Sequence, residues 1–276
     1  EHPMVTRSIE RAQKRVEDRN FAIRKQLLQF DDVMARQREV IYAQRRLILL
    51  GTDEEVKEAA LGMVEETVAG IAENILNPQV HPEDWDLDAL KATLLDTVPQ
   101  LADYPFEELR TLKPEEGVER LVEAALKAYG AREQELTPPL MRAVERFVIL
   151  NVVDSAWKEH LHNLDVLRQG IFLRGYGQKD PFQEYKIEAT RLFNDMVGFI
   201  KGEVAKFLFR LKGINPKDGK ASLNEALQVA APDARTMKSY QEKVGAGVQK
   251  ALSKQFESYN RTGKTWSALT RAQGAR

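Results

Sequence analysis

The sequence predicts an all-α fold, and three observations support that prediction. Residues 4–50 contain no proline or glycine, and their apolar side chains recur at three- and four-residue spacing. Two further stripes with this spacing flank a short stretch at residues 173–181 that contains two glycines. Prolines divide residues 52–135 into segments that each suit a short helix. We therefore expect a long helix packed with a two-helix hairpin, a small helical domain and a weakly structured tail.

The first 51 residues read as one continuous helix that ends just before Gly51. At 1.5 Å per residue, a helix over residues 4–50 would be about 70 Å long. Asp31 and Asp32 are adjacent, and adjacent helical side chains point about 100° apart, so the pair is a poor acid pair or metal chelate. A basic, solvated helical arm is the expected role of this stretch.

Residues 52–135 are strongly acidic, with 21 acidic and seven basic side chains. Helices are predicted at residues 54–76, 88–97, 105–112 and 115–129, with Thr52 and Asp86 as N-terminal caps. The carboxylates have no clustered histidine partners. We therefore expect a solvated acidic surface rather than a catalytic site.

The predicted hairpin lies in residues 136–212. Its first helix begins after Thr137 and includes residues 147–153, which are apolar on nearly all sides and therefore require burial on several faces. Its second helix begins with Asp180 as N-cap and Pro181 as the first helical residue. Tyr176 is placed at the loop between the helices. A turn residue that folds onto its neighbours is the alternative role for this tyrosine.

Composition excludes several kinds of site. The 276 residues contain no cysteine, so disulfides and thiolate metal sites are ruled out. No apolar run reaches about 20 residues, so no membrane-spanning helix is expected. The four histidines (His2, His81, His160 and His162) have no evident metal or triad partner. The N-terminal residues lack the features of a signal peptide, and we expect the chain to begin within a longer protein.

Two stretches closely resemble the SecA family, the ATP-driven motors of bacterial preprotein translocation. Residues 154–161 (DSAWKEHL), 167–181 (LRQGIFLRGYGQKDP) and 184–186 (EYK) resemble the two-helix finger of that family. Residues 12–25 (AQKRVEDRNFAIRK), followed by 30–34 and 37–38, resemble the start of its helical scaffold. The resemblance covers about residues 1–212.

The resemblance implies a domain organisation. Residues 1–51 correspond to the scaffold arm, 52–135 to the helical wing, and 136–212 to the second part of the scaffold with the finger loop at 173–181. Residues 213–276 form a basic tail with 11 basic and five acidic side chains. The family often ends in a linker and a cysteine-bearing zinc module, which this tail lacks. A native, a foreign and an engineered origin of the tail all remain open.

The resemblance also implies site residues. In the family, the finger tip enters the SecY channel, and its tyrosine contacts the unfolded preprotein; the matching residue is Tyr176, between Gly175 and Gly177. Arg174 and Lys179 would meet channel loops or anionic head groups of the membrane. Trp157 and Arg168 lie in the finger region that regulates the family's ATPase.

The resemblance further implies partners and cofactors. The partners would be the SecY channel complex, unfolded preprotein, the SecA motor domains and the anionic inner face of the cell membrane, on its cytoplasmic side; a homodimer stays open. We expect no cofactor in this chain, since ATP and Mg belong to the family's motor domains. The Gly263-Lys264-Thr265 stretch is no Walker A motif, because Ser258 stands where that motif needs glycine. The chain is therefore expected to be inactive as an ATPase alone.

Three other classes of function compete with this interpretation. A helical adaptor that binds a protein partner without handling polypeptide is the main alternative. A nucleic-acid binder is disfavoured because the sequence shows no aromatic stacking platform. An autonomous hydrolase is the weakest alternative, because no nucleophile, base and orienting group can be assembled from the motifs.

Overall fold

The computed structural model describes residues 3–171 and 180–210, together with the single position 242. Regular secondary structure in these residues is helical throughout, which confirms the predicted all-α class. The α-helices are α1 (Pro3–Leu50), α2 (Asp53–Ile75), α3 (Leu87–Thr97), α4 (Pro114–Leu136), α5 (Pro138–Ile171) and α6 (Pro181–Arg210). Short 3-10 helices occupy Pro82–Asp84, Pro99–Leu101 and Phe106–Thr111. The predicted weakly structured tail lies outside the described residues, apart from position 242.

The predicted helix caps are present. Thr52 forms a capping box with Glu55, in which each side chain accepts a hydrogen bond from the backbone N–H of the other. The Asp86 carboxylate accepts from the backbone N–H of Ala89 at 2.9 Å at the start of α3. Local sequence therefore fixes where these helices begin.

Two predicted elements differ from the structure. Residues 106–111 form a 3-10 helix where an α-helix was expected. Helix α4 does not end near Tyr129 but continues to Leu136, because Tyr129 and Leu136 both lie on its buried face. The core on that face supports two further helical turns that the sequence pattern did not indicate.

The described residues divide into two compact units. The first unit comprises residues 3–40, 161–171 and 180–193, and the second comprises residues 41–160 and 194–210. Helices α1, α5 and α6 each contribute residues to both units. The domain boundaries inferred from the sequence remain predictions.

The second unit has an apolar core built mainly from α2, α3 and α4. Helix α2 packs against α3 and α4, and its buried residues recur at helical spacing: Val56, Ala60, Met63, Val64, Val68 and Ala72. The final turns of α6 join this core through ion pairs. Asp96 of α3 pairs with Lys206 at 2.8 Å and also with Arg210. The Gln100 side-chain amide donates to the carbonyl of Phe209 at 2.9 Å, near the end of α6.

Arg146 of α5 caps the C-terminal end of α1. Its guanidinium donates to the carbonyl of Ile48 at 2.6 Å and to that of Gly51 at 2.8 Å. It also pairs with Asp53 at 2.9 Å. Carbonyls in the last turn of a helix lack partners within the helix, so this arginine satisfies groups that α1 cannot satisfy itself.

A buried polar network joins α2, α4 and α5. Nη2 of Arg142 lies 2.7 Å from the Glu145 carboxylate, 2.8 Å from the Glu133 carboxylate and 2.8 Å from the Tyr129 hydroxyl. Tyr129 donates its hydroxyl hydrogen to Glu145. Lys57 of α2 pairs with Glu133 at 2.8 Å. Glu145 is fully buried, and burial raises its pKa to about 7.

The link between α4 and α5 is a single residue, Thr137. Its φ is 73° and its ψ is 141°, a conformation that a residue with a Cβ rarely adopts. The Thr137 carbonyl accepts from the N–H of Met141 at 3.0 Å and so begins the hydrogen bonding of α5. The chain accepts local backbone strain here because α4 and α5 are both held by the Arg142 network.

None of the helices within residues 3–171 and 180–210 has the combination of length and apolar character needed to span a lipid bilayer.

We expect Thr137→Gly to stabilise the second unit. Glycine relieves the strain at positive φ, about 1–2 kcal/mol, and loses about 0.5–1 kcal/mol through greater freedom of the unfolded chain. The net gain in the free energy of unfolding should be up to about 1.5 kcal/mol, measured by urea denaturation. Thr137→Ala is the matched control, since it keeps the Cβ and should show no gain. A loss of stability in the glycine variant would contradict the assignment of strain to this residue.

Two buried groups in the second unit should make the free energy of unfolding depend on pH in opposite directions. Burial lowers the pKa of His160 to about 4, below the usual 6.5, so its contribution to stability is lost as pH falls from about 6.5 to 4. The raised pKa of Glu145 means that its contribution is lost as pH rises from about 4.5 to 7. Between about pH 4.5 and 6.5 the two groups change the free energy of unfolding with opposite slopes, which offset each other.

Single variants should separate these slopes. In Glu145→Gln, the free energy of unfolding should fall with decreasing pH below about 6.5, by about 1.4 kcal/mol per pH unit at most. In His160→Gln, it should instead fall with increasing pH between about 4.5 and 7. Denaturation followed by far-UV circular dichroism, which reports the loss of the helices, measures both profiles. Profiles parallel to that of the unchanged chain would contradict these shifts.

Candidate functional site

The predicted tip residues fall within a gap in the described chain. Residues 172–179 are not described, and they include Arg174, Gly175, Tyr176, Gly177 and Lys179. The roles assigned to them remain predictions. The structure does describe the chain on either side of these residues.

Helix α5 ends at Ile171 and α6 begins at Pro181. The Asp180 carboxylate accepts from the backbone N–H of Phe182 at 3.0 Å, and its carbonyl accepts from Glu184 at 3.2 Å. The predicted N-cap of α6 is therefore confirmed.

An aromatic cluster packs the start of α6 against α1 within the first unit. Phe30 of α1 is buried, and its ring lies 4.7 Å from that of Tyr185 at an interplanar angle of 76°. It also meets Phe182 edge to face at 5.8 Å. Edge-to-face contacts of this kind contribute about 0.5–1.5 kcal/mol beyond the burial of area. The first turn after the loop is thus fixed to α1.

Gln37 makes a second attachment between the same two helices. Its side chain is buried, and Nε2 donates to the carbonyl of Ala189 at 3.1 Å. That carbonyl lies within α6, so it accepts a hydrogen bond from outside its own helix. A directional bond of this kind fixes the position of α6 along α1, which apolar packing alone does less strictly.

Burial raises the pKa of Tyr185 to about 12, and the positive charge of Arg168 partly opposes that shift. Tyr185 therefore stays neutral at physiological pH. Its role in this cluster is to pack and not to transfer protons.

Arg168, one of the predicted regulatory residues, lies on the surface of α5. It pairs with Asp165 at 3.3 Å and lies 3.8 Å from Asp31 of α1. Its side chain is 39% exposed, and both carboxylates are more than half exposed. Exposed pairs of this kind contribute little to stability, so the pairs leave Arg168 available for contacts with other molecules.

Trp157, the other predicted regulatory residue, belongs to the core of the second unit. It is 7% exposed, so it packs as a core side chain. Its ring lies 5.5 Å from that of His160, which is also buried on α5. His162 lies on an exposed face of the same helix. Within the described ranges no group of histidine and carboxylate side chains could hold a metal ion.

Sequence reasoning missed two features near these residues. From the sequence alone, Phe30 and Tyr185 belong to apolar stripes, and they and Gln37 lie in the stretches that resemble the SecA family. Their contacts join positions more than 150 residues apart, which the spacing within one helix cannot reveal. A polar residue on the apolar face of α1 was the available signal, since buried amides need a partner.

Comparison with known proteins confirms the family resemblance. A family model described as the SecA Wing and Scaffold domain matches residues 1–212. The protein named Protein translocase subunit SecA in Thermus thermophilus is 82% identical over 235 residues, which are 85% of this chain and 23% of that protein. The protein of the same name in Deinococcus radiodurans is 51% identical over 212 residues, 77% of this chain and 24% of that protein.

The chain spans about a quarter of the length of the curated relatives it matches. The 235 residues shared with the Thermus thermophilus protein are more than the 212 that the family model matches. Similarity to that relative therefore extends beyond Lys212, into the predicted tail.

Substitution of the two predicted regulatory residues should separate structure from function. Trp157→Ala should lower the free energy of unfolding by about 3–5 kcal/mol, because it leaves a cavity in the core. Arg168→Ala should change it by less than about 1 kcal/mol. Denaturant unfolding measures both, with Trp157→Phe as the control that keeps an aromatic ring. A loss of several kcal/mol in Arg168→Ala would show that this arginine is structural.

Proposed function

The chain belongs to the SecA wing and scaffold family, and on that premise we propose that it forms the polypeptide-handling part of a preprotein translocase motor. In this proposal, the loop between α5 and α6 contacts unfolded preprotein at the mouth of the SecY channel. ATP-driven domains outside these residues supply the movement. The fragment transmits that movement and regulates the motor.

The attachment of α6 to α1 is the observation that best supports this proposal. A loop that pushes a polypeptide needs a firm base, because a force applied at its tip must be resisted by the helices that hold it. Phe30 and Gln37 of α1 contact α6 within its first three turns, at Phe182, Tyr185 and Ala189. One contact is a buried aromatic cluster and the other a buried directional hydrogen bond. Together they provide such a base.

Tyr176 is the proposed contact with the moving chain. Its ring is large and amphipathic, so it can pack against apolar side chains and backbone without requiring a particular sequence. Its two neighbours in the sequence, Gly175 and Gly177, have no side chains. Arg174 and Lys179 are proposed to face channel loops or the anionic head groups of the inner membrane surface. The protein would then act at the cytoplasmic face of the membrane.

The helical adaptor is the competing proposal. The same firm base would serve an adaptor that only binds a protein partner. The adaptor proposal differs from ours because it predicts that the loop residues can be exchanged without loss of function.

Site-specific crosslinking tests the difference. A photoreactive side chain in place of Tyr176, in the complete parent protein with SecY and a stalled preprotein, should crosslink to both preprotein and channel. Val80, an exposed position in the acidic region, is the control and should give no preprotein crosslink. Tyr176→Phe should keep most of the translocation rate, and Tyr176→Ala should lose most of it. Absence of crosslinks from position 176, with normal translocation by the alanine variant, would favour the adaptor.

A further inference from the structure

A groove in the second unit lies between α1 and α5. Six side chains between positions 41 and 50 of α1 and three between positions 154 and 158 of α5 line it, and its volume is about 590 Å³. The α1 side runs for ten residues, about 15 Å at 1.5 Å per residue. That length matches about three turns of a helix lying along it.

The groove has an apolar floor and an apolar rim. Ile41 and Trp157 are buried and form part of the floor. Tyr42, Leu49 and Leu50 are exposed at 53%, 47% and 80%. Large apolar side chains grouped along one groove, and left open to water, are typical of a surface that another segment covers.

Some charged side chains of the groove form ion pairs with each other, and others do not. Arg45 and Asp154 neutralise each other through two hydrogen bonds of 2.9 and 3.2 Å. Arg46 and Lys158 are exposed, and neither forms an ion pair within the part of the chain that the structure describes. The groove therefore presents apolar side chains together with two unpaired positive charges.

We propose that this groove binds an amphipathic helix with acidic residues beside its apolar stripe, supplied from outside residues 1–276. A helix laid in an apolar groove is a common mode of recognition, with anchors at positions i, i+3, i+4 and i+7. Carboxylates flanking those anchors would pair with Arg46 and Lys158. The complementary charge fixes the orientation of the helix and selects against basic partners.

The chain itself offers no good occupant among its described helices. The acidic region 52–135 turns its apolar residues inward, and Val80 is the one large apolar side chain of that region that the structure shows as exposed. The exposed apolar residues of α1 belong to a stretch with 11 basic and seven acidic side chains, which has the same sign as the groove. The tail 213–276 also carries a net positive charge. An external helix is therefore the better match.

Binding of labelled synthetic peptides to the full 276-residue chain tests the proposal. The probe is a helical peptide with leucines at i, i+3, i+4 and i+7 and glutamates flanking them, followed by fluorescence anisotropy. One control peptide carries lysine in place of every glutamate, and another has the same composition in scrambled order. We expect the acidic amphipathic peptide to bind at least about tenfold more tightly than either control.

Variants of the chain locate the binding. The double substitution Arg46→Glu with Lys158→Glu should lower the affinity for the acidic peptide by about tenfold or more. It should raise the affinity for the lysine peptide. Arg120→Glu with Lys127→Glu makes the same change of charge at exposed positions of α4, which lines no part of the groove, and should change affinity by less than about twofold. Leu49→Asp should abolish binding without unfolding the chain, because Leu49 is exposed.

Three results would overturn the proposal. The first is no saturable binding of the acidic peptide, and the second is equal binding of the scrambled peptide, which would indicate charge attraction alone. The third is self-association of the unchanged chain in sedimentation that Leu49→Asp abolishes, since the occupant would then be a second copy. The assay needs neither SecY nor preprotein, so its outcome is independent of the proposed function.

Discussion

A buried cluster centred on Arg142 of α5 and Glu133 of α4 joins three helices of the second unit. Nη2 reaches Glu133 and Tyr129 of α4 and Glu145 of α5, and Glu133 in turn pairs with Lys57 of α2. Breaking a buried pair by removing one partner is costly, because the charge left behind has no compensation. The packing of α2, α4 and α5 therefore depends on this cluster, and the strained single-residue link at Thr137 depends on it as well.

Much of the fold follows from local sequence, and the network does not. The helix starts at Thr52, Asp86 and Asp180 were predictable because a capping side chain and its N–H partner lie within three residues. The Arg142 network joins residues from Lys57 to Glu145. Arg142 and Glu145 are one helical turn apart on a largely apolar helix, which was the only local signal that a polar partner lay opposite.

The candidate site also has parts that the local sequence predicts and parts that it does not. The spacing of apolar residues and the Asp180-Pro181 start signal predicted the helices around the loop, and the structure places the start of α6 at Pro181. The contacts that anchor α6 were not predictable, because Phe30 and Gln37 meet residues more than 150 positions away. The role proposed for Tyr176 is different again: it would depend on a moving polypeptide and a channel, and neither is encoded in the spacing of this sequence.

Two neighbouring arginines of α1 show how one helix separates structural charge from exposed charge. Arg45 and Arg46 point about 100° apart, so only Arg45 faces Asp154 of α5 and forms the paired bonds. Together with Arg146, which caps the end of α1, that pair fixes the position of α1 along α5. Arg46 is then not needed for packing, and its charge remains at the mouth of the groove. Because Arg45 and Arg146 already join the two helices, the exposed side chains on the rim of the groove are free to contact another molecule without any change in the fold.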